Sequence, residues 1–166
     1  MKRKLIPVMV LLIMASYGQK NDREVNQTIT QKTEIMQKGE KQKIEELLNQ
    51  YKRALNTSDA ALAQSLYTKN GIFMPTEAPS AIGSENILKS YEFIFSQIQL
   101  NIEFYIDEIV VENDFAFAVT SSKGTTLIHA TGDTIPEANR ELFVFEREAG
   151  EWKIARYMFN KTAPKL

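Results

Sequence analysis

One change of period divides this chain and limits what it can become. Up to about residue 98, apolar residues recur at three- and four-residue steps. Ile44, Leu47, Leu48, Tyr51 and Leu55 form one stripe, which predicts a helix from about Glu40 to Asn56. Ser58 or Asp59 is placed to cap a short second helix through Tyr67, with Ala61, Leu62 and Leu66 on its apolar side. A third helix, from after Ser84 to about Gln97, turns Ile87, Tyr91, Ile94 and Phe95 inward. Between the last two, Gly71 to Pro75 reads as a short strand and Pro75 to Gly83 as a loop. Beyond this point aromatic and β-branched residues dominate. Asn101–Glu112, Phe115–Ser122, Thr125–Thr131, Asn139–Arg147 and Trp152–Phe159 read as strands. Asn113-Asp114 and Ala149-Gly150 are tight turns in this reading, and Gly132–Ala138 is a longer connection placed to cover a site. Helices followed by a run of antiparallel strands predict an α+β domain, with the helices gathered on one face of a curved sheet.

Simple alternation makes both faces of that sheet apolar. Leu142 and Val144 fall opposite Phe143 and Phe145, and Trp152, Ile154 and Met158 fall opposite Ala155, Tyr157 and Phe159. Helices cover one face only, so a homodimer packed sheet to sheet is the expected cover for the face carrying Trp152, Ile154 and Met158.

The start of the chain reads as an export signal. Lys2, Arg3 and Lys4 precede an apolar run from Leu5 to Ala15, which ends in Ser16, Tyr17 and Gly18. Cleavage after Gly18 is expected, with a periplasmic or secreted product that has no membrane contact once the signal is removed; an uncleaved anchor is the competing reading. The run falls short of the roughly 20 apolar residues of a spanning helix. Residues 19–39, rich in Gln, Lys, Asn, Thr and Glu, read as a flexible polar tether, residues 40–160 as the domain and 161–166 as a tail. The sequence has no cysteine, so neither a disulfide nor a lipid-modified cysteine is available. Loss of residues 1–18 removes three positive charges and takes the formal net charge from −1 to −4. A mildly acidic domain without a basic stripe excludes nucleic acid as the expected partner. The sequons at Asn26 and Asn160 are read as fortuitous in a chain with a bacterial-type signal.

Four segments in order carry a family likeness: Tyr51 to Asp59 (YKRALNTSD), Leu66 to Phe73 (LYTKNGIF), Gly83 before the third helix, and Glu151 to Arg156 (EWKIAR). With these the chain resembles the SnoaL-like and ketosteroid-isomerase-like branch of the nuclear transport factor 2-like superfamily over about Glu40 to Phe159. The resemblance implies a cone: a strongly bent antiparallel sheet wrapped on three helices, an apolar pocket at the open end, and frequent dimers. It does not fix one function, since the superfamily holds isomerases, cyclases, dehydratases, toxin-immunity and carrier proteins.

In ketosteroid isomerase a carboxylate base moves a proton while a Tyr and a protonated carboxylic acid hold the oxyanion. The resemblance places Tyr51 at the oxyanion Tyr and Glu141 near the oxyanion acid. It places the base near Met74 and Pro75, where neither side chain takes a proton. Each assignment has a plainer counterpart: Tyr51 as a core residue, Glu141 paired with Arg140, Arg156 or Lys153, and the lone His129 as a structural residue. His129, Asp133 and Glu137 become metal ligands only if the intervening loop folds back, so no metal and no cofactor are expected. Hydrolase, phosphate-loop and dinucleotide motifs are absent from the sequence. The remaining reading is a pocket walled by Phe73, Met74, Tyr91 and Phe95 from the first half and Phe117, Phe143, Tyr157 and Phe159 from the second. Tyr51, His129, Arg140 and Glu141 are its sparse polar handles; a filled core is the alternative. The expected function is binding of a small apolar or carbonyl-containing molecule without turnover. The alternatives are an acid–base isomerase, cyclase or dehydratase acting on a carbonyl or polyketide-like compound, and a dimeric scaffold without ligand.

Overall fold

A computed structural model describes residues 11–162. Its elements are α1 (Leu11–Asn56), α2 (Ala60–Ser65), β1 (Tyr67–Met74), β2 (Ala81–Ile82), α3 (Gly83–Gln97), β3 (Ile98–Glu112), β4 (Phe115–Ile128), β5 (Thr134–Glu148) and β6 (Glu151–Lys161). The chain divides into two compact units, residues 1–39 and 40–166. In the first, the backbone from Leu11 onward is helical, including the stretch 19–39 that composition assigned to a flexible tether. Gln, Glu, Lys and Met are good helix formers, so polar composition alone did not exclude a helix. Ile35 and Met36 are exposed there. Residues 1–10 and 163–166, with the start of the expected signal and most of the expected tail, lie outside the described residues. Among the described residues no helix is long and apolar enough to cross a membrane.

The second unit is an α+β domain. Its six-stranded sheet has the order β2-β1-β6-β5-β4-β3, with β1 parallel to β6 and the other pairings antiparallel. The apolar stripe of α1 reaches the core as periodicity demands, and Ile44, Leu48, Tyr51 and Ala54 are sealed from solvent. Asp59 caps α2 by accepting the Leu62 N–H at 2.8 Å. At the end of α1 the Asn56 amide imitates a strand partner. Its Nδ2 donates to the Ile102 carbonyl at 2.8 Å and its Oδ1 accepts the Ile102 N–H at 2.9 Å. This pair pins the helix to β3 and sets the space between them.

Three differences from the sequence reading decide where side chains point. The two strands expected over Phe115–Ser122 and Thr125–Thr131 are one strand, β4, and Gly124 is a contact point within it. A Cβ there would lie 2.0 Å from the Asn101 carbonyl oxygen, so only glycine lets β3 approach. The connection expected over Gly132–Ala138 is mostly strand, because β5 begins at Thr134. Finally, Val144 pairs with Arg156 but Phe145 pairs with Ile154, leaving Ala155 as an extra residue. This bulge reverses the phase of β6. Trp152 and Ile154 therefore join Tyr157 on the inner face, where they are 4%, 0% and 4% exposed. The expected outer row of Trp152, Ile154 and Met158 is thus corrected: of the three only Met158 faces out, beside Leu142.

Candidate functional site

Inside the concave face lies a cavity of about 330 Å³. Helices α1 and α3 give it Tyr51, Leu55, Tyr91 and Ile94, and β3 gives it Leu100 and Ile102. Phe73, Tyr157 and Phe159 form one aromatic wall from β1 and β6, with Phe73 stacked on Tyr157 at 5.6 Å between ring centroids. The volume is at the small end of ordinary ligand sites.

One strand gives the cavity a row of three buried polar side chains, to which Gln97, Thr126 and Lys161 add from other elements. On β5, alternation brings Glu137, Asn139 and Glu141 to the inner face in phase with Phe143 and Phe145. They are 8%, 7% and 4% exposed. The facing strand is built to receive them. Inner positions of β4 hold Thr120 opposite Glu141, Ser122 opposite Asn139 and Gly124 opposite Glu137. Thr120 Oγ1 donates to Glu141 Oε2 at 2.5 Å, Asn139 Nδ2 donates to Ser122 Oγ at 3.2 Å, and Thr126 Oγ1 donates to Glu137 Oε2 at 2.9 Å. Lys161 Nζ lies 3.8 Å from Glu137 Oε2. Among the described residues two buried atoms have no protein hydrogen-bond partner, Glu141 Oε1 and Asn139 Oδ1. Burial pushes the Glu141 carboxyl above the ordinary glutamate range, against the neighbouring Ser122 and Thr120 hydroxyls, and the negative charges of Asp107 and Glu137 push the same way.

Above this row the tyrosines form a neutral cluster. Tyr51 and Tyr91 share a short hydroxyl–hydroxyl hydrogen bond, and Tyr67 bonds to Tyr91 at 2.8 Å. Burial raises the phenols of Tyr51, Tyr67, Tyr91 and Tyr157, so they act as hydrogen-bonding hydroxyls and not as anions at neutral pH.

Of the residues singled out from sequence, Tyr51, Phe73, Tyr91, Glu141, Tyr157 and Phe159 meet at the cavity. The others do not. Phe143 is fully buried behind the wall, stacked on Tyr157 at 4.2 Å. Phe95 packs beside Tyr91 outside the lining. Phe117 pairs with Val110 and Val144 on the outer face, and Met74 pairs with the outward Met158. Arg140 is exposed opposite Ser121 and Asn160, since it alternates out of phase with Glu141. His129 is exposed, with Nδ1–H donating to the Ser96 carbonyl at 3.0 Å, which is the structural role weighed for it. Glu141 pairs with none of Arg140, Arg156 or Lys153 among the described ion pairs; Thr120 holds it instead. Sequence reasoning missed Glu137 and Asn139 as cavity residues, although the repeat Glu-x-Asn-x-Glu in phase with Phe143 and Phe145 carries the signal. Among the described residues no group of three or more His, Asp or Glu side chains converges as a metal site.

A bent sheet closed by helices over an apolar cavity with a buried polar row defines a small cone-shaped pocket domain. The sequence profile of the SnoaL-like domain matches residues 44–160, and the chain belongs to that family. A ketosteroid isomerase-like protein from Erwinia carotovora atroseptica is 32% identical, with 73% of this chain and 95% of that one covered and a TM-score of 0.70. A nuclear transport factor 2-like superfamily protein from Salmonella enterica serovar Typhimurium is 21% identical over 75% of this chain and 92% of its own, with a TM-score of 0.66. A type 2 hexachlorocyclohexane dehydrochlorinase is 12% identical over 75% and 86%, with a TM-score of 0.66. The last two likenesses show the fold alone. No curated protein matches the chain.

Proposed function

We propose that this domain binds a small, largely apolar molecule in the concave cavity and holds it without chemical change. The observation that carries the reading is the pair of buried acceptors without a protein partner, Glu141 Oε1 and Asn139 Oδ1, at a cavity lined mostly by apolar and aromatic side chains. Buried polar atoms without partners are costly, and a filled core has no reason to keep two side by side on one strand. Native mass spectrometry of the chain as purified tests it. A mass excess of a few hundred daltons, lost on denaturation and absent from Tyr157→Ala, supports binding; an apo mass that no apolar probe changes argues for the scaffold.

A second reading, acid–base catalysis on a carbonyl compound, is favoured by one observation. The strand position near Met74 has no base, yet β5 brings two carboxylates, Glu137 and Glu141, to the same cavity. Solvent-deuterium incorporation into a candidate ketone, abolished by Glu141→Gln or Glu137→Gln, would make turnover the better account.

Export and pairing belong to the same proposal. The charged start and short apolar run support removal of residues 1–18 on the way to the periplasm or medium, and sequencing of the mature N-terminus from those fractions checks it. The outer sheet face, with Phe117, Val119, Leu142, Val144 and Met158, supports a homodimer. Sedimentation of a Leu142→Glu variant against the unmodified chain at micromolar concentration is the corresponding measurement.

A further inference from the structure

The polar row of the cavity is unevenly supplied. Every hydrogen bond given to Glu137, Asn139 and Glu141 within it comes from, or goes to, a neutral hydroxyl of β4: Thr126, Ser122 and Thr120. The inner positions of β4 opposite the row hold Thr120, Ser122 and Gly124, and none can carry a positive charge. Among the described cavity residues the one basic side chain is Lys161, which is 61% exposed and reaches only Glu137, at 3.8 Å. Two carboxylates therefore share a low-dielectric space with one peripheral cation, and the two unpaired atoms are both acceptors. The Asn139 amide has its hydrogen-bearing end on Ser122, so its carbonyl end is the free one. The walls above the row are aromatic, with Tyr51, Phe73, Tyr91, Tyr157 and Phe159 in the lining, and ring faces attract cations.

We propose that the cavity selects an organic ammonium, a primary or secondary amine carried on an apolar body about the size of a phenylalkyl group. Its N–H groups go to Glu141 Oε1 and Asn139 Oδ1, its charge is matched by Glu141 and Glu137, and its body lies against the aromatic wall. An alcohol offers one donor and no charge. A ketone or a carboxylate brings lone pairs against lone pairs, unless Glu141 supplies a proton. The inference rests on the reading of the cavity as a small-molecule site and narrows it to a ligand class.

Four probes on a 3-phenylpropyl skeleton, the ketone with one further methyl, separate the two claims: 3-phenylpropylamine, 3-phenylpropanol, 4-phenylbutan-2-one and 3-phenylpropionate, titrated into the full chain at pH 7 by calorimetry or NMR. The amine is expected to bind at least about tenfold more tightly than each of the others, the size of one well-placed charged contact. Glu141→Gln should remove about tenfold of the amine affinity while leaving the alcohol within about twofold. A thermal melt of the variant confirms that it is folded, and the ranking on the unmodified chain does not depend on it. If the ketone or the carboxylate binds as tightly as the amine, the ammonium assignment is overturned while the small-molecule reading stands. If no probe binds at millimolar concentration, the cavity reading fails and takes the assignment with it.

Discussion

Two carboxylates near β5 and β6 are treated in opposite ways by the same domain. Glu40, at the start of the domain part of α1, has donors on both of its oxygens. Its Oε2 accepts Trp152 Nε1–H at 2.8 Å and Arg147 Nη2, and its Oε1 accepts Lys43 Nζ at 3.0 Å. Arg147 also stacks over the Trp152 ring, 4.4 Å from its centroid, and donates to the Gly150 carbonyl at 3.1 Å. Glu141 is more deeply buried, yet it has only neutral hydroxyls beside it, and its Oε1 has no protein partner. The Lys43, Trp152 and Arg147 donors hold the Glu40 carboxyl below the ordinary glutamate range, and burial lifts that of Glu141 above it. Glu40 completes the fold, fastening the helix to the β5–β6 hairpin. On the proposed reading a ligand is what completes Glu141, because a buried acceptor without a protein partner suits a binding group better than a structural one.

The severest way to probe this contrast is a carboxylate with neither partners nor a cavity. Ile154→Glu supplies one, because the bulge at Ala155 puts Ile154 fully inside the monomer core. It is expected to destabilise the domain by at least about 3–5 kcal/mol and to leave it largely unfolded by circular dichroism, whatever its state of association. A folded monomer would mean that the side chain faces out, as simple alternation had it. Next in size, Glu40→Ala leaves the Trp152 N–H and the Arg147 guanidinium without their carboxylate. Urea unfolding should show a loss of about 1–3 kcal/mol, the range for a partly buried charged hydrogen-bond cluster.

Glu141→Gln should behave unlike either. The amide keeps an acceptor for Thr120 and removes a charge from the interior, so stability at pH 7 should stay within about 1 kcal/mol of the unmodified chain or rise. The pH dependence separates the pair further. A lowered carboxyl pKa stabilises the fold above the unfolded value of about 4.3, and that stability is lost as pH falls through the folded value. A raised one acts in reverse: its contribution is complete below about 4.3 and is lost as pH rises through the folded value. Glu40→Gln should therefore flatten the acid side of a stability profile, and Glu141→Gln should flatten the limb just above it. Equal profiles for the two variants would break the comparison.

The helices and the tight turns were close to the surface of the sequence, whereas the cluster of Glu40, Arg147 and Trp152 was not, since simple alternation put Trp152 on the outer face. The stripe of Ile44, Leu47, Leu48, Tyr51 and Leu55 states the buried face of α1, and Asn113-Asp114 and Ala149-Gly150 are the turns their composition suggests, with Asn113, Ala149 and Gly150 at positive φ. The cavity row was harder to see. Gly132 and Pro136 look like breakers, so Glu137 was read into a loop, yet Pro136 sits at an exposed strand position whose inward neighbours keep the alternation of Phe143 and Phe145. The phase change at Ala155 leaves no mark in composition, because Trp152, Ile154, Tyr157 and Phe159 suit either face. Alternation counts residues, and a bulge adds one that does not pair. The family likeness put Tyr51 and Glu141 at the pocket, and both line the cavity, whereas chemistry or aromaticity alone gives Arg140, His129 and Phe117 no register to place them.

The central claim is that Glu141 is a buried carboxylate kept open for a ligand, and a carboxyl-carbon NMR titration of the full chain addresses it directly. Glu141 should titrate above the ordinary glutamate value of about 4.3 and Glu40 below it, and saturation with 3-phenylpropylamine should move Glu141 downward while leaving Glu40 in place. A Glu141 that titrates at or below the ordinary value, and does not respond to the amine, would contradict the account.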